Sequence, residues 1–196
     1  MKPLAPACDR NKDAILTILR DTFAGCRTVL EIGSGTGQHA VWFARHLDHL
    51  VWRTSDLVEN HDGVRAWLEE AQLSNLEPPV ELDVCTRPWP VERSDAVFSA
   101  NTAHIMSWPQ VRCMFVGVSG VLDVGGVFCQ YGPFKYGGRH TSASNEEFDA
   151  SLRGRSAVMG IRDVDDLRAL GADTSLELVA DHAMPANNRT LVWRRQ

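Results

Sequence analysis

The sequence lacks the features that would assign it to several common classes. Its five cysteines, Cys8, Cys26, Cys85, Cys113 and Cys129, are odd in number and scattered, with no Cys-x-x-Cys pair. That pattern excludes a zinc ribbon and predicts reduced thiols in the cytoplasm, without a disulfide framework. No run of Lys or Arg forms a nucleic-acid footprint, and a formal net charge of -5 argues against a nucleic-acid partner. No window approaches the roughly 20 apolar residues that span a bilayer. The start, Met1-Lys2-Pro3-Leu4-Ala5-Pro6, has no apolar signal-peptide core, so no membrane partner is expected. No His, Asp or Glu grouping shows metal-ligand spacing, and none is assigned to a metal. Repeats and linkers are missing too, which predicts one domain over residues 1–196.

What is present is an alternation of strand and helix patterns. Apolar residues at Ile15, Leu16, Ile18, Leu19 and Phe23 predict a helix from Asn11 to Phe23. Strands are predicted at Thr28 to Ile32, Leu50 to Ser55, Val80 to Asp83, Ala96 to Ala100 and Val127 to Tyr131. Between them lie helices after Gly37, over Glu59 to Ala71, and from Pro109 onward. The polar stretch Gly132 to Ser144 is too irregular to be core, and Asn145 and Asp163 are candidate caps of two later helices. Leu176 to Ala180 and Thr190 to Trp193 have no helix between them and must pair antiparallel. The pattern predicts an α/β fold: a Rossmann-like, seven-stranded, mainly parallel sheet closed by an antiparallel C-terminal hairpin.

The most informative stretch is Val29-Leu30-Glu31-Ile32-Gly33-Ser34-Gly35-Thr36-Gly37-Gln38-His39. A short strand ends in an acid, turns through alternate glycines, and enters a helix. Glycines let a ligand lie against bare peptide, and the helix offers free N–H groups at its positive end. Glu31 would repel a pyrophosphate but can hold an ammonium. That points away from a nicotinamide dinucleotide and toward S-adenosylmethionine, with S-adenosylhomocysteine as product.

The order of these elements resembles that of class I methyltransferases. The resemblance implies that Asp56, ending the second strand, binds the ribose hydroxyls, and that Asp83 meets the adenine amino group. It places Glu31, Gly33, Ser34, Gly35, Gly37 and Gln38 around the methionine part, with Leu57, Val84 and Asn101 on the same side. The Asp/Asn-Pro-Pro-Tyr/Phe signature of nucleobase amino methylation is absent after the fourth strand, where Asn101-Thr102-Ala103-His104 stands. His104 is the candidate base, with an unperturbed pKa near 6.5; its other reading is a histidine that only orders the loop. Tyr131 is the alternative base or a core residue. Trp89 and Trp108 fall in cleft-side loops, and Cys85 and Cys129 read as small buried hydrophobes.

Across nearly its whole length the chain also resembles a largely uncharacterised family of short methyltransferase-like proteins. Arg10-Asn11-Lys12-Asp13, Ser34 to Ala40, Ser55-Asp56, Leu82-Asp83-Val84, Tyr131-Gly132-Pro133, Ser144-Asn145, Phe148-Asp149 and Met184-Pro185-Ala186-Asn187-Asn188 carry this. The family pattern implies that Asn11, Lys12, Asn145, Asn187 and Asn188 surround the substrate mouth with His104 and Tyr131. The expected function is methyl transfer to a small molecule. The alternative is a cofactor-binding scaffold or regulatory protein without turnover.

Overall fold

The computed structural model describes residues 2–196. In chain order it contains α1 (Pro6–Thr22), β1 (Thr28–Ile32), α2 (Gln38–His46), β2 (Val51–Asp56), α3 (His61–Ala71), β3 (Leu76–Glu81) and β4 (Ser94–Ala100). These are followed by α4 (Trp108–Val121), β5 (Leu122–Gly132), β6 (Phe134–Tyr136), β7 (Arg139–His140) and α5 (Ala143–Arg155). The last elements are β8 (Arg162–Asp163), α6 (Val164–Asp173), β9 (Leu176–Met184) and β10 (Asn188–Arg195). Seven strands form the main sheet in the order β3-β2-β1-β4-β5-β10-β9. Only β10 runs against its neighbours, antiparallel to both β5 and β9. The order reverses between β1 and β4, which opens a crevice at their carboxyl ends, the usual ligand position in such sheets.

The period of two in the strands sorts residues onto two faces. Leu30, Ile32, Val97, Phe128 and Trp193 pack under α4 and α6, with Phe115, Val118 and Leu167. Val29, Ala96, Phe98, Cys129 and Tyr131 pack under α1 and α2, with Ile15, Leu19 and Phe43. Phe43, Trp52 and Phe98 interlock in the second layer, their ring centroids 5.3 to 5.9 Å apart. Helix α4 starts with a reciprocal cap, in which Ser107 Oγ accepts from Gln110 N–H and the Gln110 side chain accepts from Ser107 N–H.

Several expectations need correction. Helix α1 begins at Pro6, not Asn11, because a proline costs nothing in the first turn, where its missing N–H has no helical partner. Strand β3 runs through Pro78-Pro79 and stops before Asp83; it lies at the sheet edge, where lost donors face no neighbour. The segment after Gly132 is not wholly outside the core. Phe134 is buried, and β6 forms a second, three-stranded sheet with β7 and β8. Ser142, not Asn145, caps α5: its hydroxyl accepts from Asn145 N–H at 3.2 Å. Asp163 does cap α6. Trp89 packs on α4 rather than in the cleft, so close that a Cβ on Gly117 would stand 1.9 Å from its ring.

The cysteines also depart from expectation. Cys85, which is exposed, forms a disulfide with Cys113 on α4, while Cys8, Cys26 and Cys129 stay free. The partners are 28 residues apart in sequence, and folding alone brings their Cα atoms to 5.0 Å. The bond removes the argument for a reducing compartment that rested on unpaired thiols. Among the described residues no helix is long and apolar enough to cross a membrane.

Candidate functional site

Two cavities open at the carboxyl ends of the central strands and share Asn101. The first, of about 430 Å³, is lined by Gly33, Gly35, Asp56, Leu57, Asp83, Val84 and Asn101, all from the expected cofactor set. Gly33 and Gly35 adopt positive φ of 74° and 58°. A Cβ on Gly33 would stand 3.0 Å from the Thr102 side chain, whereas one on Gly35 would meet no protein atom. The turn is held by two N–H groups, of Gly33 and Ser34, that both donate to Ser55 O at 3.0 Å. Asp56 has more than one task. Its Oδ2 accepts from Gly35 N–H at 2.6 Å, and its Oδ1 from Leu57 N–H and the Asn60 amide at 2.7 and 2.8 Å. Oδ2 therefore retains capacity for one hydroxyl donor. Asp83 accepts from Cys85 N–H at 2.9 Å, which sets the disulfide beside it.

Four members of the expected set do not line this cavity. Glu31 shares the strand face of Val29, and its carboxylate lies under the glycine turn instead of on the cavity wall. There Glu31 Oε2 accepts from Ser34 Oγ at 2.9 Å and Trp52 Nε1 at 3.2 Å. Burial, with a smaller push from Asp56, raises its pKa to about 7 against those two hydrogen bonds. Ser34 is thus spent on Glu31. Gly37 touches α3, where a Cβ would stand 3.1 Å from Val64 Cα. Gln38 anchors the N-terminal segment by accepting from Ala5 N–H at 2.5 Å.

The second cavity, of about 810 Å³, brings together Asn11, Asn101, His104, Tyr131, Asn145 and Asn188. Lys12 is not there. One helical step of about 100° turns it off the Asn11 face, and it pairs with Asp9 at 2.8 Å and sits 4.5 Å over the Trp42 ring. Nor does the Asn187 side chain reach the cavity; it donates to Ser144, while its carbonyl accepts from the Asn145 amide at 3.0 Å. Asn11 is itself fixed from behind, 2.7 Å from His39 Nε2. Ala186 and Asn187 both hold positive φ, 56° and 58°, so the connection between β9 and β10 is strained where it borders the cavity.

His104 is buried, and its ring meets Phe148 edge-on at 5.2 Å. Burial first, then the Arg162 charge, lowers its pKa to about 4. Backbone contacts set its place: Gly160 N–H donates to His104 O at 2.9 Å, and the Arg162 guanidinium donates to Ala103 O at 2.9 Å and to Met106 O. Asp149 steadies that loop by accepting from Ile161 N–H at 2.6 Å. Burial raises the Tyr131 phenol pKa, opposed by its hydrogen bond with Asn11.

Sequence reasoning missed Asn60, Thr102, Ile105, Met106 and Gln110 on the first cavity. Their positions just past Asp56 and Asn101 were the available signal. It also passed over Arg10 as a site residue; Arg10 lines the second cavity beside Asn11, one turn after Ala7 on α1. Among the described residues no three His, Cys, Asp or Glu side chains cluster as metal ligands would.

The fold is shared with solved methyltransferase structures. An O-methyltransferase family protein from Burkholderia thailandensis is 17% identical at a TM-score of 0.80, covering 94% of this chain and 58% of its own. An O-methyltransferase family 2 protein from Planctomyces limnophilus, in complex with apigenin, is 15% identical at 0.82, covering 95% and 56%. PigF with SAH is 12% identical at 0.78, covering 93% and 61%. The chain therefore spans little more than half the length of these neighbours. At such identities the likeness speaks for the fold, a Rossmann-like methyltransferase fold. Residues 2–195 match the family described as "Protein of unknown function (DUF938)", and the chain belongs to that family.

Proposed function

We propose that the protein transfers a methyl group from S-adenosylmethionine to a small-molecule acceptor. The observation that carries this reading is the pair of cavities meeting at Asn101, one lined by the glycine turn and two carboxylates, the other by His104 and Tyr131. The first cavity suits the cofactor chemically. It offers acceptors for hydroxyl and amine donors at Asp56 and Asp83, bare peptide at Gly35, and apolar flanks at Leu57, Val84 and Ile105. Its wall has no Lys or Arg to meet a pyrophosphate. Bound there, S-adenosylmethionine would supply an electrophilic methyl group on a sulfonium that leaves without acid assistance.

The protein's own work is then positioning and proton control. Asp56 would hold ribose hydroxyls through its open Oδ2 site, and Asp83 the adenine amine. Glu31, beneath the turn, would contribute negative charge near the ammonium once ionised. His104 is neutral above about pH 4 and so is free to take a proton. A base of such low proton affinity serves an acceptor whose proton is acidic, and an acceptor that arrives already ionised needs no base. Tyr131, its pKa raised by burial, keeps its proton and orients the acceptor as a donor.

Formation of S-adenosylhomocysteine with a panel of phenols, thiols, amines and carboxylates tests the reading; cofactor binding with no turnover on any class would defeat it. A second reading, a cofactor-binding protein without turnover, has one observation in its favour. Among the described residues no carboxylate is hydrogen-bonded to the His104 ring to orient it or raise its basicity.

A further inference from the structure

Arg10 is the one Lys or Arg on the wall of the second cavity, and that wall carries no Asp or Glu. Some surface cations find carboxylates, Lys2 with Glu70, Lys12 with Asp9, Arg53 with Glu77 and Arg189 with Asp181, while others, such as Arg20 and Arg45, form no ion pair among the described residues. Among the described residues Arg10 forms no ion pair, although Asp13 lies one helical turn away on α1. An exposed arginine needs no explanation by itself. This one stands at the mouth of a large cavity on which Asn11, Asn101, Asn145 and Asn188 converge with the Tyr131 hydroxyl. The Asn145 and Asn188 amides are already given to Thr141, Asn187 O, Pro185 O and Ala186 O. That leaves the Asn11 and Asn101 amides and the Tyr131 phenol to share the cavity with one guanidinium and complement the oxygens of an anion. Apolar walls at Phe148, Pro133 and Pro185 suit a hydrocarbon body.

The surrounding field agrees. Arg162 holds its charge close enough to His104 to disfavour the imidazolium. The second cavity therefore carries one guanidinium and no carboxylate on its wall, with Arg162 behind His104, whereas the first presents two carboxylates and no cation. A cationic ligand belongs in one and an anionic ligand in the other.

We propose that Arg10 determines acceptor specificity by pairing with a carboxylate of the substrate, so that the acceptor class is a carboxylic acid with an apolar body. Arg10 binds and orients; taking up a proton, where the methylated group carries one, falls to His104. The proposal rests on the methyl-transfer reading for its name of acceptor, but its test needs no turnover. Benzoate, phenylacetate and cinnamate, each with its matched primary amide and its matched amine, are titrated into the full chain by ligand-observed NMR.

The acids should bind about tenfold to a hundredfold more tightly than the amides, and the amines least of all. Arg10→Gln should erase the acid preference, and Arg10→Lys should keep part of it. No enrichment of acids over amides in the wild-type chain overturns the proposal, as does an unchanged preference in Arg10→Gln. Calorimetry with S-adenosylmethionine on the same samples separates the two ideas. Acid preference without cofactor binding would end the methyl-transfer reading and leave the Arg10 subsite standing, and cofactor binding without acid preference would do the reverse.

Discussion

The two cavities that meet at Asn101 differ in how they are built as much as in their charge. The proposed cofactor side is made of strand ends and the turn after β1, and its polar atoms are already tied to backbone: Asp56 to Gly35 and Leu57, Asp83 to Cys85. The proposed acceptor side is assembled from distant pieces, Asn11 on α1, His104 after β4, Asn145 on α5 and Asn188 opening β10. Its central histidine is placed by Arg162 and Gly160 through main-chain contacts, not by a carboxylate. A side built into the sheet can keep one ligand while the side built from appended helices and loops changes its partner. The two walls also differ in charge, with carboxylates on one and a guanidinium on the other.

The comparison breaks first at His104. If it is the base, His104→Ala should lower turnover by about 10² to 10⁴ while leaving cofactor affinity unchanged. Equal rates in the variant would leave His104 as a loop-ordering residue.

Glu31 tests the floor of the cofactor side. Its folded pKa of about 7 lies above the unfolded value, so its protonated form stabilises the fold at low pH, and this is lost as pH rises toward 7. His39 and His104, held near 4, act in the opposite sense, gaining stability as pH rises from about 4 to 6.5. Comparing Glu31→Gln with wild type isolates the glutamate. The variant should gain about 3 kcal/mol relative to wild type between pH 4.5 and pH 8 in denaturant unfolding. A pH-independent difference would mean that the carboxylate is hydrated.

Asp56→Asn should weaken S-adenosylmethionine about tenfold to a hundredfold by calorimetry and leave acid binding on the other side intact. Asparagine keeps one of the two side-chain oxygens that accept from Gly35, Leu57 and Asn60, whereas alanine would remove both. The smallest effect belongs to the disulfide. Cys85→Ser frees the backbone beside Asp83, and a several-fold loss of cofactor affinity, with none for acids, would place the bond on the cofactor side alone.

The legible part of this protein was local. Strand periodicity, the glycines with positive φ and the acids at strand ends all express the preferences of a few adjacent residues, and they predicted the sheet, its reversed hairpin and part of the first cavity's lining. Even there the face was misjudged: period two sends Glu31 beneath the turn with Trp52, because it follows Val29 and not Leu30. The prolines of β3 misled for a related reason, since their penalty depends on whether a neighbouring strand needs the donors.

The second cavity was legible only as scattered asparagines in a family pattern. Arg10 stands in that pattern too, but its place on an acid-free wall came only with α1 packed beside β5. Lys12, one residue from Asn11, was turned away by helix geometry, and Cys85 found Cys113 only through the packing of a loop on α4. What the sequence by itself determined was the sheet and the turn that binds against it, because backbone conformation follows from neighbouring residues. What only the tertiary structure decided was which charges face one another across the cleft, because that depends on residues far apart in the chain being brought within a few ångströms.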